Sequence, residues 1–154
     1  MKEYNSVSEP FLADVRAVVG DANVFTEPEK LEQYKTDEEY DPRRFRVPEA
    51  VVRPANAEEI AAVVKLCNKY NVPLTVRSGG TSLADGAIAV CGGIVLLMER
   101  LNKIIEMNTE AMYVVAEAGV RTVDIQKMAN EEIGRASVGK ECVRRCRSRW
   151  SPYH

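Results

Sequence analysis

The sequence has few of the residues that most often carry metal or proton chemistry. It contains one histidine, His154, and four cysteines with no Cys-x2-Cys pair. Isolated cysteines in apolar surroundings behave as small hydrophobic residues, which is our interpretation of Cys67 and Cys91. A zinc site built from Cys142, Cys146 and His154 is the alternative, but it lacks the usual paired spacing. We therefore expect no metal.

Long apolar runs are also missing. No uninterrupted stretch is long enough to cross a bilayer, and residues 1–21 alternate charged and apolar side chains without the apolar core of a signal peptide. We therefore expect a cytoplasmic protein with no transmembrane segment. A chain of 154 residues that is 45% apolar suits one domain with a single core.

The net charge of −2 is divided unevenly along the chain. Residues 134–154 carry +5 and show no apolar period, whereas the preceding residues carry −7. This predicts a folded domain over residues 1–133 and a basic, disordered tail over 134–154. A tail of this kind can bind nucleic acid, but interleaved aromatic residues and a reader fold are lacking, so we expect no nucleic-acid partner.

Apolar periodicity predicts an α+β fold, with a small, mostly parallel sheet and flanking helices. A short strand, a helix capped by Asn56 with Glu59 as its partner, and a second strand after Pro73 form a β-α-β unit, whose strands should be parallel. A central strand, an antiparallel pair and a last helix follow. The predicted strands are 50–53, 74–76, 94–98, 104–107 and 113–118, and the predicted helices are 8–19, 28–34, 56–70 and 123–133. Thr26 and Glu29 fit a capping box at the start of the second of these helices, which has proline in its first turn.

A glycine-rich loop, from Arg77 to Gly86, follows the second strand of this unit. Successive small residues let consecutive backbone N–H groups turn inward and form a nest for phosphate oxygens, and the hydroxyls of Thr81 and Ser82 add donors. The alternative is an ordinary tight turn. Neither a P-loop nor a Rossmann fingerprint is present, because Gly139-Lys140 precedes a glutamate and no G-x-G-x-x-G occurs in a suitable unit.

Several separated motifs carry a family resemblance. The segments 48–54, 72–82, 93–96, 101–104 and 117–120 resemble, in the same order, the N-terminal part of FAD-linked oxidases. These are the FAD-binding PCMH-type proteins of the vanillyl-alcohol oxidase superfamily, and the branch that fits best is the GlcD-like glycolate oxidase and D-lactate dehydrogenase branch. The resemblance implies that FAD is the cofactor and that this chain is an N-terminal fragment of the domain.

The resemblance also implies where the cofactor binds. Residues from the loop would cradle the pyrophosphate, and two residues after a later strand would lie against FAD, although Gly119 fits a strand terminator equally well. Family members that attach FAD covalently commonly use a histidine in this loop, and this loop has none, so FAD should be non-covalent. The implied cofactor-binding residues are Arg77, Ser78, Gly79, Gly80, Thr81, Ser82, Gly86, Ala118 and Gly119.

The implied activity is the oxidation of a small 2-hydroxy acid such as glycolate or D-lactate. The family's substrate domain is not present in this chain, so the sequence identifies no catalytic residue and we expect no activity from the chain alone. The alternative is a non-catalytic interaction subunit that completes or binds a flavoprotein partner. Both interpretations, the FAD-binding fragment and the interaction subunit, allow a partner subunit that is a flavoprotein or an iron–sulfur protein.

Two residues depart from the family pattern. Ser78 stands where the family usually has glycine, and a positive φ there would cost serine on the order of 1 kcal/mol. Asp85 stands where a small residue is more common, and a carboxylate ~5 Å from pyrophosphate would oppose binding by roughly 3 kcal/mol at an effective dielectric near 20. Both residues would weaken the cofactor site.

Overall fold

The computed structural model describes residues 3–38 and 41–133. The predicted tail, 134–154, and its candidate zinc ligands lie outside the described residues. The described chain contains four helices, six strands and three 3-10 turns. The helices are α1 (Glu9–Val19), α2 (Pro28–Leu31), α3 (Ala57–Tyr70) and α4 (Thr122–Ile133), and the strands are β1 (Val24–Phe25), β2 (Ala50–Val52), β3 (Leu74–Arg77), β4 (Ile94–Leu97), β5 (Ile104–Asn108) and β6 (Tyr113–Ala116).

The main sheet has the order β1-β2-β4-β3. β4 lies between β2 and β3 and runs parallel to both, with Val95 opposite Val51 on one side and Thr75 on the other. All four residues of β4 are buried, as in a strand covered on both faces. β1 is antiparallel at one edge, and β5 and β6 form a separate antiparallel hairpin. The predicted mostly parallel sheet with flanking helices is confirmed.

The two faces of the sheet are covered differently. On one face, α1 and α3 pack through buried side chains that include Phe11, Val15, Val63 and Cys67. On the other face, Ala89 from the segment before β4 packs with a smaller group, which includes Leu31, Val51, Val95 and Leu97. The segment that follows the glycine-rich loop is therefore part of the core, and this fixes the end of the loop.

The two described cysteines differ in environment. Burial raises the pKa of the Cys67 thiol to about 11, as expected for a cysteine that serves as a core residue. Cys91 is exposed, so the apolar surroundings that the sequence predicts for it are not found. It lies in the turn that leads into β4 rather than on the strand.

Helix starts confirm one predicted cap and correct another. The side chain of Asn56 accepts a hydrogen bond from the Glu59 N–H at 2.8 Å, and Glu59 in turn accepts from the Ala55 N–H. The predicted capping box at Thr26 does not form, because α2 begins after Glu27, whose carboxylate accepts from the Thr26 N–H instead. In the described ranges, none of the helices has both the length and the apolar character needed to span a membrane.

Candidate functional site

The glycine-rich loop leaves the sheet where β3 ends. The last strand bond here runs from the Met98 N–H to the Arg77 carbonyl, at 2.9 Å. In the part of the chain that the structure describes, no acceptor takes a hydrogen bond from the N–H groups of Gly79 to Leu83. Most of these residues are exposed. The loop therefore presents a run of uncommitted donors, which is the arrangement that binds phosphate oxygens.

Gly80 is required by the geometry of this loop. Its φ of +68° lies in the left-handed region, which side chains disfavour. A Cβ at this position would lie 2.3 Å from Nη2 of Arg77. The backbone of Gly80 thus lies directly against the guanidinium group.

Arg77 connects the start of the loop to neighbouring parts of the chain. Its Nη1 donates to the Thr36 carbonyl at 2.7 Å and to the Ala87 carbonyl at 3.3 Å. Its guanidinium carbon lies 5.7 Å from the ring centre of Tyr34, within cation–π range. Burial lowers the pKa of Arg77 and raises that of Tyr34. These contacts anchor Nη1 and the face of the guanidinium to neighbouring parts of the chain, which gives Arg77 a supporting position.

Ser82 organises the far end of the loop. Its Oγ accepts hydrogen bonds from the Ala84 N–H at 3.2 Å and the Gly86 N–H at 3.0 Å. A hydroxyl oxygen accepts about two hydrogen bonds, so the hydroxyl proton of Ser82 remains for an outside acceptor. The N–H of Gly86 closes the loop internally and is not a free donor. Thr81 is exposed between Gly80 and Ser82.

The second predicted segment lies against the start of the loop. Ser78 Oγ donates to the Ala118 carbonyl at 2.5 Å. The Gly119 N–H donates to the Leu101 carbonyl at 2.7 Å, and a Cβ on Gly119 would lie 2.1 Å from the Met98 carbonyl oxygen. Close backbone approach, rather than φ, therefore requires glycine at position 119.

A cleft of about 380 Å³ opens between these segments. Predicted residues Ser78, Gly79 and Gly119 line it together with residues that the sequence did not reveal. The additional lining residues are Glu99, Asn102, Arg121 and Asp124. They come from the turn after β4 and from the start of α4, and no local pattern in the sequence predicts that these parts meet.

The charged side chains around the cleft are paired with one another. Arg121 donates to Asp124 at 2.8 and 2.9 Å, and this contact lowers the pKa of the Asp124 carboxyl. Glu99 lies 2.6 Å from Arg53. With these charges balanced, the N–H groups and hydroxyls of the loop remain as donors for an anionic ligand.

The two departures from the family pattern do not have the predicted cost. The positive φ values in this loop belong to Gly80 and Asp85, so Ser78 bears no left-handed strain. Asp85 has a φ of 56°, a region that aspartate tolerates better than most residues. Its carboxylate forms an ion pair with Arg44. This pairing offsets part of the negative charge on which the predicted repulsion depends.

Comparison with known proteins identifies the family. A protein-family model described as "FAD binding domain" matches residues 48–146. This range contains the glycine-rich loop and the cleft, and it extends beyond Ile133. The chain belongs to this FAD-binding family, and FAD is its cofactor, as the resemblance implied. The uncommitted N–H groups of the loop are donors that suit the pyrophosphate of that cofactor.

Relatives of known name lie among flavin-dependent oxidoreductases. The chain is 34% identical over 84 residues to glycolate oxidase subunit GlcD of Bacillus subtilis, an alignment covering 54% of this chain and 18% of the relative. It is 35% identical over 85 residues to D-lactate dehydrogenase of Anaerostipes hadrus, covering 55% and 18%. The structure of 4-ethylphenol oxidase from Gulosibacter chungangensis matches with a TM-score of 0.69 and 27% identity, covering 84% of this chain and 26% of that one. The chain thus spans about a fifth to a quarter of these proteins' lengths.

Proposed function

We propose that the loop from Arg77 to Gly86 holds the FAD pyrophosphate and that Ala118-Gly119 forms the adjoining wall. The observation that carries this proposal is the run of uncommitted N–H groups from Gly79 to Leu83 beside the cleft. Such donors bind by geometry, since a nest of backbone dipoles needs no charged side chain. The hydroxyls of Thr81 and Ser82 add further donors, and Arg77 contributes by holding the loop in place.

The substrate that we propose for the whole flavoenzyme is a small 2-hydroxy acid of the glycolate or D-lactate type. The two relatives named glycolate oxidase subunit and D-lactate dehydrogenase support this class. Bound FAD supplies the two-electron acceptor for oxidation of the hydroxy acid to the 2-oxo acid. In this proposal, the residues of this chain bind and orient the cofactor. Dye-coupled turnover by the assembled enzyme with glycolate, D-lactate and 4-ethylphenol tests the class, and preference for the phenol would contradict it.

Competition between nucleotides tests the pyrophosphate assignment. We expect the 154-residue chain to bind FAD in the micromolar range or more weakly, equivalent to about −8 kcal/mol at best. ADP should displace FAD far better than AMP, because it retains the pyrophosphate that the loop recognises. Thr81→Ala should cost about 1 kcal/mol, the value of one hydrogen bond. Flavin fluorescence titration measures both effects, and equal competition by ADP and AMP would contradict the assignment.

FAD should be bound without a covalent link. The described loop offers no histidine, and the only histidine in the sequence is His154. Acid precipitation of the FAD-loaded chain should therefore leave all flavin absorbance in the supernatant. Flavin that stays with the washed pellet would show covalent attachment and overturn this expectation.

A second candidate function is that of a subunit whose FAD site is completed by a partner protein. Large apolar side chains are exposed on the β5–β6 hairpin, including Ile105 and Val115, and exposed apolar groups of this kind often mark interfaces. A flavoprotein or iron–sulfur partner fits this function. Native mass spectrometry of the FAD-bound species separates the two, because the subunit function requires FAD binding to appear only in a hetero-complex.

A further inference from the structure

The glycine-rich loop is attached at both ends to one preceding part of the chain. At its start, Arg77 reaches back to the carbonyl of Thr36. At its far end, Asp85 forms an ion pair with Arg44, which lies in the 3-10 turn Pro42–Arg44. The donors from Gly79 to Leu83 lie between these two attachments.

The attachment at Asp85 combines a backbone and a side-chain feature. Asp85 adopts the left-handed conformation with a φ of 56°, which most L-residues disfavour. Its side chain is 18% exposed, against 57% for Arg44. Asp41 lies 3.8 Å from Nε of Arg44 and also binds Arg43 through a bidentate pair at 2.8–3.2 Å. Arg44 therefore contacts Asp41 in its own turn and Asp85 in the loop.

We propose that Arg44 and Asp85 are positioning residues that hold the phosphate loop in its binding conformation before FAD arrives. This inference rests on the proposed function, since it assumes that the loop binds the cofactor. Asp85 also begins the tight turn in which its carbonyl accepts the Ile88 N–H at 3.2 Å, so fixing Asp85 fixes the end of the loop. A loop that is already ordered loses less conformational entropy on binding, and affinity rises accordingly.

The Arg44–Asp85 ion pair, which we call the tether, is tested by substituting each of two neighbouring arginines. Arg44→Gln should weaken FAD binding about fivefold, because partly exposed ion pairs contribute modestly. Arg43→Gln is the matched control: it lies in the same turn and binds the same Asp41 but makes no described contact with the loop. Its FAD affinity should stay within twofold of the parent chain. Arg44→Lys keeps the charge and should recover part of the loss.

Amide exchange supplies a readout that does not depend on FAD. In the ligand-free chain, Arg44→Gln should speed hydrogen exchange at Gly86 and Ile88, whose N–H groups are bonded within the loop, by about fivefold. Exchange in the core strand β4 should not change. Unchanged exchange at Gly86 and Ile88 overturns the tether whether or not FAD binds. Failure of the proposed function would instead appear as equal ADP and AMP competition with exchange still accelerated.

Asp85→Gly separates a tether from simple repulsion. Glycine keeps the left-handed backbone without strain and removes the carboxylate. A tether predicts weaker FAD binding by about fivefold, and no further loss when Arg44→Gln is added, because both changes break the same pair. Tighter FAD binding by Asp85→Gly would show that the carboxylate mainly repels the pyrophosphate, and it would overturn the proposal.

Discussion

Replacing Gly80 with valine is expected to reduce FAD binding by more than a hundredfold. Left-handed backbone costs an L-residue about 1–2 kcal/mol, and more when it is β-branched. The new Cβ would also lie 2.3 Å from the Arg77 guanidinium, so Arg77 must leave its bonds to Thr36 and Ala87. A hydrogen bond from a charged group is worth about 1.5–3 kcal/mol. Flavin fluorescence titration measures the loss.

Gly79→Ala is the control for this variant. Gly79 has no left-handed φ, and the nearest contact of an added Cβ is a Thr81 side-chain atom at 3.8 Å. Its melting temperature should match that of the parent chain. If Gly80→Val binds FAD as well as the parent, the loop is only a turn and the assignment of the pyrophosphate to this loop fails.

The contribution of the Arg77 clash can be isolated with a smaller substitution. Gly80→Ala introduced into an Arg77→Ala background removes the guanidinium that the Cβ would meet. In this background, Gly80→Ala should lower the free energy of unfolding only by the backbone strain of the left-handed conformation, about 1–2 kcal/mol. Chemical denaturation of the four chains of this cycle measures the coupling. If the two substitutions change the free energy of unfolding additively, the Arg77 side chain moves away from the new Cβ at no cost.

Much of the fold could be predicted from the sequence because its signals are local. The Asn56–Glu59 cap, the left-handed Asn71 and the proline that follows define α3 within a short stretch of chain. The continuous apolar run at β4 indicated a central strand for the same reason. The Thr26 cap was wrong because α2 begins one residue later than the capping box requires, and Glu27, the residue before the helix, accepts the Thr26 N–H without capping the helix.

The candidate site was only partly predictable. The contiguous loop could be recognised from its glycines and hydroxyls, and the family resemblance added Ala118-Gly119. The pairing of Asp85 with Arg44 joins residues 41 positions apart, and periodicity carries no information about such a contact. The support role of Arg77 depends likewise on the distant Thr36 carbonyl. Long-range side-chain pairing, which requires the folded chain, therefore gives Arg77 and Asp85 contacts that the sequence does not predict.

Gly119→Ala is expected to destabilise the fold by about 3 kcal/mol, at the upper end of the usual cost of overpacking. The added Cβ would lie 2.1 Å from the Met98 carbonyl oxygen and 2.8 Å from that of Leu101. These are backbone atoms, so no side chain can rotate away to relieve the clash. The bond from the Gly119 N–H to the Leu101 carbonyl would stretch or break as the turn moves. Urea unfolding followed by circular dichroism measures the change.

Gly86→Ala provides a matched comparison within the same site. Its φ is not left-handed, and the nearest atom to an added Cβ is Ser82 Oγ at 3.1 Å, a side-chain atom that can shift. It should cost less than about 1 kcal/mol, as expected when a neighbour can adjust. Equal destabilisation by the two variants would contradict the close backbone approach at position 119.

The same variant also decides whether Gly119 serves only the turn or the cofactor as well. A ligand that binds the native state raises stability by an amount set by its concentration relative to Kd. If Gly119 forms part of the cofactor wall, moving the turn also displaces Ala118 from Ser78, and Gly119→Ala should lose most of the stabilisation that excess FAD gives to the parent chain. If Gly119 only ends the strand, the variant should be less stable but should gain as much from FAD as the parent does. Unfolding curves recorded with and without saturating FAD distinguish the two roles, and full retention of the FAD-linked gain would remove Ala118-Gly119 from the proposed site.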